Sequence, residues 1–544
     1  MSESTEDRPA NANPKQAAPP TNWFQRLRVN LGPTLAEIVG IDLRSIAIFR
    51  MAMGALVISD VYHRSLHLVA HYTDAGFMPR EKLLGGWSNP LFYSFHNWGG
   101  DITSQTLLFA LTGVFATMLV VGFKTRLASI MCFLMVASVQ GRNYLILQGG
   151  DDLLRVMLFW SMFLPLGARF SIDAALAPPV APRNRVARIF TVASTTIALQ
   201  LLAMYLVSAV LKTGSSWHRQ GSAIHLALHH EAFATSFGQW FRQLPAPLLQ
   251  YMTWSVYYLE LFGTLLFFSP FKTGWVRTAQ VLLFMSFHFG LFLCMELGHF
   301  PWVALGAWLI LLPSWFWEVP VRRVLAKLDL NRRYLAIAAA VRSFVVAHRD
   351  WFRTRKARPL RLEPTWAGTL VVALLAVYTA YGTAFAGSHK GNVEGDRFSP
   401  MLMLRLYANW GMFAPNPPNT SGWFIIVGER ADGSQIDVWN HNDPVDWSRP
   451  ELPSATYRSQ RWRKFLDNVT NQRHAVVRPY FLRWLCKDWN ESQEERNRVR
   501  TLTLYQMAHT TQWPAKGYSA VQKNNLQRQG CPSLGSKGQK GTDA

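Results

Sequence analysis

Charged side chains are scarce in this chain, and acidic ones are the scarcest. Asp and Glu number 33 against 55 Lys and Arg, and only 16% of the 544 residues are charged. A soluble globular protein carries about 25% charged residues, so the composition argues against one. The net charge of +22 would suit nucleic acid or anionic lipid, but basic cytoplasmic loops are its ordinary source in a membrane protein. We therefore expect no nucleic-acid partner.

Cysteine is also rare, with four in the chain. Cys132 and Cys294 lie in apolar runs and are expected to pack as small hydrophobic residues. Cys486 and Cys531 could pair if their part of the chain lies outside the cytosol. No CxxC pattern is present, so no zinc motif is predicted. Residues 1–30 lack the apolar core of a signal peptide, and we expect 1–39 to be a disordered cytoplasmic tail.

Long apolar runs, by contrast, are abundant, and 49% of the residues are hydrophobic. Nine stretches are long and apolar enough to cross a bilayer. They are 45–62, 104–123, 127–147, 153–168, 189–211, 248–269, 275–297, 300–317 and 366–386. The predicted fold is therefore mainly α, a polytopic transmembrane helical bundle of about nine spans over 40–318 and 366–386, with a small extramembrane domain after it.

The positive charges predict which way this bundle faces. The loops after spans two, four, six and eight are basic, and the last of them, 319–365, holds twelve Lys and Arg against three Asp and Glu. The positive-inside rule makes these loops cytoplasmic, and 325–346 is typical of an amphipathic basic helix on the inner leaflet. The N-terminus is then cytoplasmic and the region after 386 lies outside.

The sequence of that C-terminal region predicts a small α+β domain over 387–515, followed by a disordered tail over 516–544. Two apolar strands, 422–427 and 435–439, flank Asp432-Gly433, which is a strong hairpin signal. A helix is expected at 461–471 and another strand at 500–507.

Ionisable side chains in or beside the spans are the candidates for chemistry. Lys212 closes the fifth span, Glu260 lies in the sixth and His288 in the seventh. Lys212 is either an anchor that snorkels to the lipid headgroups or, if it faces the bundle interior, a desolvated amine that acts as a general base. The structural alternative is an ion-pair network, for example Arg50 or Lys212 with Glu260, that only orders the bundle. For Arg50 and Asp60 we favour that alternative.

His225 and His229 lie four residues apart, which would place two imidazoles on one helix face as a metal pair. No third ligand accompanies them, so we predict no metal site. A half-buried re-entrant helix with interfacial histidines explains the pattern better.

Several short segments together carry a family signature. They are 46–50 with Gly54 and Asp60, 122–126, 169–173, 208–212 with Trp217, Glu260, 287–288, 410–418 with Asp432-Gly433, and 459–462. Over about 40–515 they resemble the vitamin K-dependent gamma-carboxylase family and its bacterial relatives, the HTTM (horizontally transferred transmembrane) domain proteins. The resemblance implies a multi-pass protein of the bacterial inner membrane with a periplasmic C-terminal domain.

The resemblance also implies an activity. In the carboxylases a lysine deprotonates reduced vitamin K, reaction with O2 yields a strong base that removes a γ-proton from peptide glutamate, and CO2 adds to the carbanion. Lys212 would be that base, with Glu260 and His288 beside it, a reduced quinone as cofactor, and membrane lipid and a peptide or secreted protein as partners.

One departure from the carboxylases leaves the activity open. Their Asn-His pair before the fourth span is replaced by Gly149-Gly150, which argues against glutamate carboxylation and leaves quinol oxidation or another quinone-linked modification open. A second class remains, a non-catalytic membrane maturation or export factor for a secreted client. A transporter is less well supported, because no inverted repeat is evident.

Overall fold

The computed structural model describes residues 35–87, 93–178, 187–328, 330–348, 365–386, 403–514 and 517–532. Most of the predicted N-terminal tail, the start of the predicted outer domain at 387–402 and the end of the predicted C-terminal tail lie outside these residues. The described chain forms a helical bundle followed by a sheet with two helices.

The described residues form nineteen α-helices, many of them short. They are α1 Leu43–Ser65, α2 Leu68–Tyr72, α3 Arg80–Lys82, α4 Ile102–Val121, α5 Thr125–Arg142, α6 Gly149–Ser161, α7 Ile172–Leu176, α8 Val192–Leu211, α9 Ala223–His229, α10 Ser236–Phe241, α11 Ala246–Phe262, α12 Thr273–Cys294, α13 Phe300–Trp308, α14 Ser314–Phe316, α15 Arg322–Lys327, α16 Leu330–Ala347, α17 Trp366–Ala386, α18 Gln460–Thr470 and α19 Arg478–Glu491.

Four of these helices, α1, α4, α8 and α12, are long and apolar enough to cross a membrane. A fifth crossing results if 300–311 and 314–327, which meet at 91°, count as one broken span. The prediction of nine spans is not confirmed. Helix α6, for example, has 13 residues, nearly all of them buried. An apolar helix covered by protein has the same hydropathy as one covered by lipid, so the sequence alone did not separate the two kinds.

The long helices pack closely around a shared core. Helix α1 contacts α4 and α13, while α8 contacts α11 and α17. Gly54 allows the approach of α1 to α4, because a Cβ there would lie 2.7 Å from Val120 Cγ2 and 2.9 Å from the Ala116 carbonyl oxygen. A side chain at this position would push the two helices apart.

The predicted cytoplasmic corners meet at one end of the bundle. The Asp173 carboxylate accepts hydrogen bonds of 2.9 Å from the main-chain N–H groups of Lys124 and Thr125, and α16 packs on α7 in the same place. Arg50 lies here too and donates to main-chain carbonyl oxygens, including those of Leu166 at 3.1 Å and Phe170 at 2.6 Å. Its ordering role therefore works through carbonyl groups and not through the suggested pair with Glu260.

The bundle carries a two-residue strand pair, β1 Ile41–Asp42 with β2 Arg188–Ile189. The C-terminal region adds four strands, β3 Thr420–Arg430, β4 Gln435–Asp437, β5 Val499–Thr510 and β6 Gln522–Gly530. They form an antiparallel sheet in the order β4-β3-β5-β6. The β3–β4 hairpin turns at Gly433, whose φ is 83°, as the Asp-Gly signal predicts. Helices α18 and α19 add the buried apolar residues Phe465 and Phe481 to the core.

The expectation of a disordered tail from 516 is wrong for residues 522–530, which form β6. Their sequence is polar and lacks the apolar alternation of a half-buried strand. Main-chain pairing with β5 orders this edge strand, and a disulfide between Cys486 and Cys531 closes its far end.

A buried network of four charges joins the C-terminal region to the bundle. The Arg64 guanidinium lies 2.8 Å from Asp60 and 2.5 Å from Asp151. The Arg461 guanidinium, from α18, contacts the same two carboxylates at 2.6 and 2.7 Å. The charges balance, which offsets the cost of burying them. This network places α18 against the end of α1 opposite Arg50 and matches the structural role expected for Asp60.

Candidate functional site

A cavity of about 900 Å³ lies between the bundle helices and α18. The three residues singled out from the sequence, Lys212, Glu260 and His288, all line it. Lys212 caps α8, Glu260 belongs to α11 and His288 to α12. Helix α8 contacts α11, and Tyr205 of α8 contacts His288 of α12. Most other lining side chains are aliphatic or aromatic, as is usual for sites that bind apolar small molecules.

Lys212 points into the bundle and does not snorkel to its surface. The residue caps the C-terminus of α8 and is 2% exposed. Its ammonium nitrogen forms an ion pair with Glu260 and donates a 2.6 Å hydrogen bond to Ser208 Oγ. The same atom lies 4.8 Å from the centre of the Trp217 ring, within range of a cation–π contact. The anchor interpretation of Lys212 is therefore wrong.

The ion pair changes the expectation for this lysine. Apolar surroundings alone were expected to keep the amine neutral, but the amine has a buried carboxylate partner. The ion-pair alternative considered from the sequence is therefore present, and it is present inside the cavity. The pair can order the bundle and remain accessible to a ligand.

The turn after Lys212 is held by the motif at 410–418. The Gly214 N–H donates to the Pro415 carbonyl oxygen at 3.0 Å, and Ser216 Oγ donates to Asn416 Oδ1 at 2.6 Å. The Trp217 indole N–H donates to the Phe413 carbonyl oxygen at 2.9 Å. This motif, one of the segments of the family signature, fixes the position of the turn after the lysine.

On the cavity wall, His288 forms a separate hydrogen-bonded group with Tyr205 and Trp308. Its Nε2 lies 2.6 Å from the Tyr205 hydroxyl oxygen, which also accepts a 2.7 Å bond from the Trp308 indole N–H. The imidazole Nδ1 has no hydrogen-bond partner among the described residues. The sequence gives no sign of Tyr205 and Trp308, because neither carries a charge and both look like ordinary large side chains of an apolar run.

One side of the cavity lies between α11 and α12. Met252, Val256 and Glu260 line it at four-residue intervals along α11, so they share one face of that helix. Ser286 and Gly290 of α12 also line the cavity, and Ser286 is an exposed residue. Both residues belong to a helix that is long and apolar enough to cross a membrane, so a candidate span forms part of the cavity wall.

The opposite side of the cavity is polar and belongs to α18. Arg463, Lys464 and Asp467 line it, and the Arg463 guanidinium lies 2.5 Å from the Asp467 carboxylate. Burial lowers the pKa of the Lys464 ammonium and raises that of the Asp467 carboxyl. The sequence predicted a helix here but gave no sign that it would face Lys212, because the two segments are about 250 residues apart.

Gly149 and Gly150 differ in the space around them. A Cβ on Gly150 would lie 2.8 Å from the Phe300 main-chain nitrogen, so no imidazole fits there unless α13 moves. Gly149 lines the cavity, and its nearest neighbour would be Met412 Sδ at 3.5 Å. The carboxylase histidine is thus missing from the sequence and excluded by the packing.

His225 and His229 lie on one face of α9 with ring centres 3.9 Å apart. His229 Nδ1 donates to the His225 carbonyl oxygen at 2.8 Å, and burial lowers the pKa of His229 to about 4. Among the described residues no group of three or more His, Cys, Asp or Glu could hold a metal ion. The pair packs beside Trp513 and Tyr518 of the C-terminal region.

Comparison with known proteins identifies the part of the chain that holds this site. The model of the HTTM domain family matches residues 40–316, just over half of the chain, and includes all three candidate residues. No curated protein and no solved structure matches the sequence. The chain is a membrane protein of the HTTM family.

Proposed function

We propose that this protein is an integral membrane enzyme that binds a reduced quinone in the cavity and accepts a proton from it through the Lys212–Glu260 pair. The observation that carries the proposal is the meeting of Lys212, Glu260 and His288 in one cavity. An apolar ligand that is dissolved in the bilayer could enter between α11 and α12. The enzyme would lie in the bacterial inner membrane with its N-terminus in the cytoplasm.

The cavity fits such a ligand by size and by chemistry. Small-molecule sites measure about 300–1,000 Å³ and combine apolar walls with a few polar groups, and this cavity measures about 900 Å³. A quinol has two ring oxygens. The Lys212–Glu260 pair and the unpartnered His288 Nδ1 offer polar groups for both.

The pair is suited to accept a proton. An ammonium beside a carboxylate and an amine beside a carboxylic acid hold the same number of protons, and each form is one proton short of full protonation. The pair can therefore take one proton from a hydroxyl group without a prior change in charge elsewhere. Ser208 Oγ accepts a hydrogen bond from the Lys212 nitrogen and keeps that nitrogen oriented. The quinol supplies reducing power towards O2, and CO2 would join as a co-substrate if the product is a carboxylate.

The polar side of the cavity would receive the second substrate. Arg463 and Lys464 place two cations there against one carboxylate, Asp467, so a peptide with an anionic group would be favoured at this side. The Cys486–Cys531 disulfide supports an oxidising compartment for the C-terminal region. A secreted protein in the periplasm would then meet the cavity from outside the membrane.

The test is quinol turnover by the purified full-length protein in lipid nanodiscs. A reduced naphthoquinone and O2 are supplied, and the quinone epoxide is measured by liquid chromatography. We expect Lys212→Ala to slow its formation by about 10²-fold or more, the usual effect of losing a general base. Lys82→Ala, at an exposed lysine in another part of the chain, is the matched control. Equal rates for wild type and Lys212→Ala would refute the enzymatic proposal.

A second candidate is a non-catalytic maturation or export factor that holds a secreted client. The lack of space at Gly150 for the carboxylase histidine favours it over a glutamate carboxylase. In this case a client would co-purify with the protein, and Lys212→Ala would leave both the yield of client and its secretion unchanged. Loss of secretion on Lys212→Ala, with the client still bound, would favour the enzyme.

A further inference from the structure

The hydrogen bonds at Tyr205 determine which nitrogen of His288 carries a proton. The Trp308 indole N–H can only donate, and it lies 2.7 Å from the Tyr205 hydroxyl oxygen. Tyr205 therefore accepts this bond. All three side chains are buried, with exposures of 0% for Trp308 and His288 and 1% for Tyr205, so water does not compete for these groups.

The Tyr205 hydroxyl has one proton of its own to donate. Among the described residues, its other hydrogen-bond partner is His288 Nε2 at 2.6 Å. If Nε2 were protonated, the hydroxyl oxygen would face two N–H donors and its own proton would have no acceptor, which is costly for a buried group. The arrangement that satisfies every group has Tyr205 donating to an unprotonated Nε2. The proton of the neutral ring then sits on Nδ1.

We propose that Trp308 and Tyr205 hold His288 as the neutral Nδ1–H tautomer, so that His288 donates a hydrogen bond to an oxygen of the quinoid ligand. The inference rests on the proposed function for the identity of the ligand, but the tautomer follows from the hydrogen bonds alone. His288 is in this account a hydrogen-bond donor and not a base. Tyr205 and Trp308 do not touch the ligand through these bonds and act as positioning residues.

The unpartnered Nδ1 is the reason to expect an oxygen atom in that place. Buried N–H groups are nearly always hydrogen-bonded in proteins, and His288 Nδ1 has no partner in the described residues although the residue lines the cavity. A carbonyl or hydroxyl oxygen of a ligand would satisfy it, and because the ligand-free residue is 0% exposed, the ring must open to the cavity on binding. The site would then bind one ring oxygen at the Lys212–Glu260 pair and the other at His288.

The tautomer can be measured without any ligand. The full-length protein is labelled with ¹⁵N-histidine in nanodiscs, and the His288 signals are identified from their loss in His288→Asn. We expect an unprotonated Nε2 and a protonated Nδ1, since the two tautomers have distinct ¹⁵N shifts. Trp308→Phe releases the Tyr205 hydroxyl, and Tyr205→Phe removes it, so both should produce a second population with a protonated Nε2. A protonated Nε2 in the wild type would overturn the inference.

The donor role is tested by binding of menadione, an oxidised naphthoquinone whose oxygens only accept hydrogen bonds. We expect Tyr205→Phe to raise its dissociation constant about tenfold. His288→Asn places an amide N–H near the position of Nδ1 and should bind within about threefold of the wild type. His288→Gln places its amide near Nε2 and should lose about tenfold. Lys82→Ala, at an exposed lysine in another part of the chain, should bind menadione as the wild type does.

The two experiments separate the failure of this inference from the failure of the proposed function. Equal losses in His288→Asn and His288→Gln would refute the donor role even if epoxide is formed. If the wild type binds no menadione but shows the expected tautomer, the quinone proposal and the donor role towards it both fail, and only the hydrogen-bond arrangement at His288 stands.

Discussion

The Lys212–Glu260 pair gives a prediction in which stability and activity separate. Lys212→Met leaves the Glu260 carboxylate buried without its cation, and Glu260→Leu leaves the ammonium without its anion. Removing one partner of a buried pair typically costs about 3–5 kcal/mol, whereas replacing both by apolar residues of similar volume is often neutral or stabilising. Lys212 and Glu260 are 2% and 5% exposed, so this case applies. We expect about 3 kcal/mol of lost stability for each single variant and a double variant within about 1 kcal/mol of the wild type.

The assay is equilibrium unfolding of the four proteins in mixed dodecyl maltoside and SDS micelles, followed by tryptophan fluorescence. A matched cycle on the exposed Arg496–Glu494 pair, whose side chains are 81% and 72% exposed, should show coupling below about 1 kcal/mol. Additive single effects at Lys212 and Glu260 would refute the pair. The double variant should also have no quinol turnover, and a stable double variant with full turnover would reduce the pair to a structural role.

Three further predictions concern the surroundings of the site. Arg461→Ala leaves Asp60 and Asp151 with one cation between them and should lower the stability by about 3–5 kcal/mol. The C-terminal region should then be cleaved earlier in limited proteolysis, whereas Arg473→Ala, at an exposed residue, should not change the cleavage. Burial lowers the pKa of His96 to about 4, below its unfolded value of about 6.5. The unfolded chain therefore binds more protons than the folded chain as pH falls through that range. Acidification from pH 7 to pH 5 should lower the free energy of unfolding by about 2 kcal/mol, and His96→Gln should not show this loss. Gly150→Ala should cost about 1–3 kcal/mol by overpacking and lower the unfolding midpoint, unlike Gly149→Ala; equal midpoints would contradict the packing at this helix start.

The candidate site was largely predictable because charge is expensive in a membrane. An ionisable residue in an apolar span needs a partner or a function, and loop charges predict which span ends lie together. Those two rules are enough to predict that Lys212, Glu260 and His288 lie in one helical bundle. The neutral partners Tyr205 and Trp308 carry no such signal, and neither does Lys464, whose position depends on how α18 folds back over the bundle.

The number of spans was less predictable for a related reason. Hydropathy measures how apolar a segment is and not what covers it. Helix α6 satisfies an apolar window but is covered by protein and places Asp151 in the buried network with Arg461. Strand β6 shows the opposite limit, because its order comes from main-chain pairing and a distant cysteine and its side chains give no sign of it.

The most direct test of the account is photoaffinity labelling of the full-length protein in nanodiscs with an azido-naphthoquinone, followed by mass spectrometry of the labelled peptides. The account predicts labels on α11 and α12 beside Glu260 and His288 and on the 409–413 segment, all competed by menadione. Labels spread over the lipid-facing helices and insensitive to menadione would contradict the claim that this cavity is a quinone site.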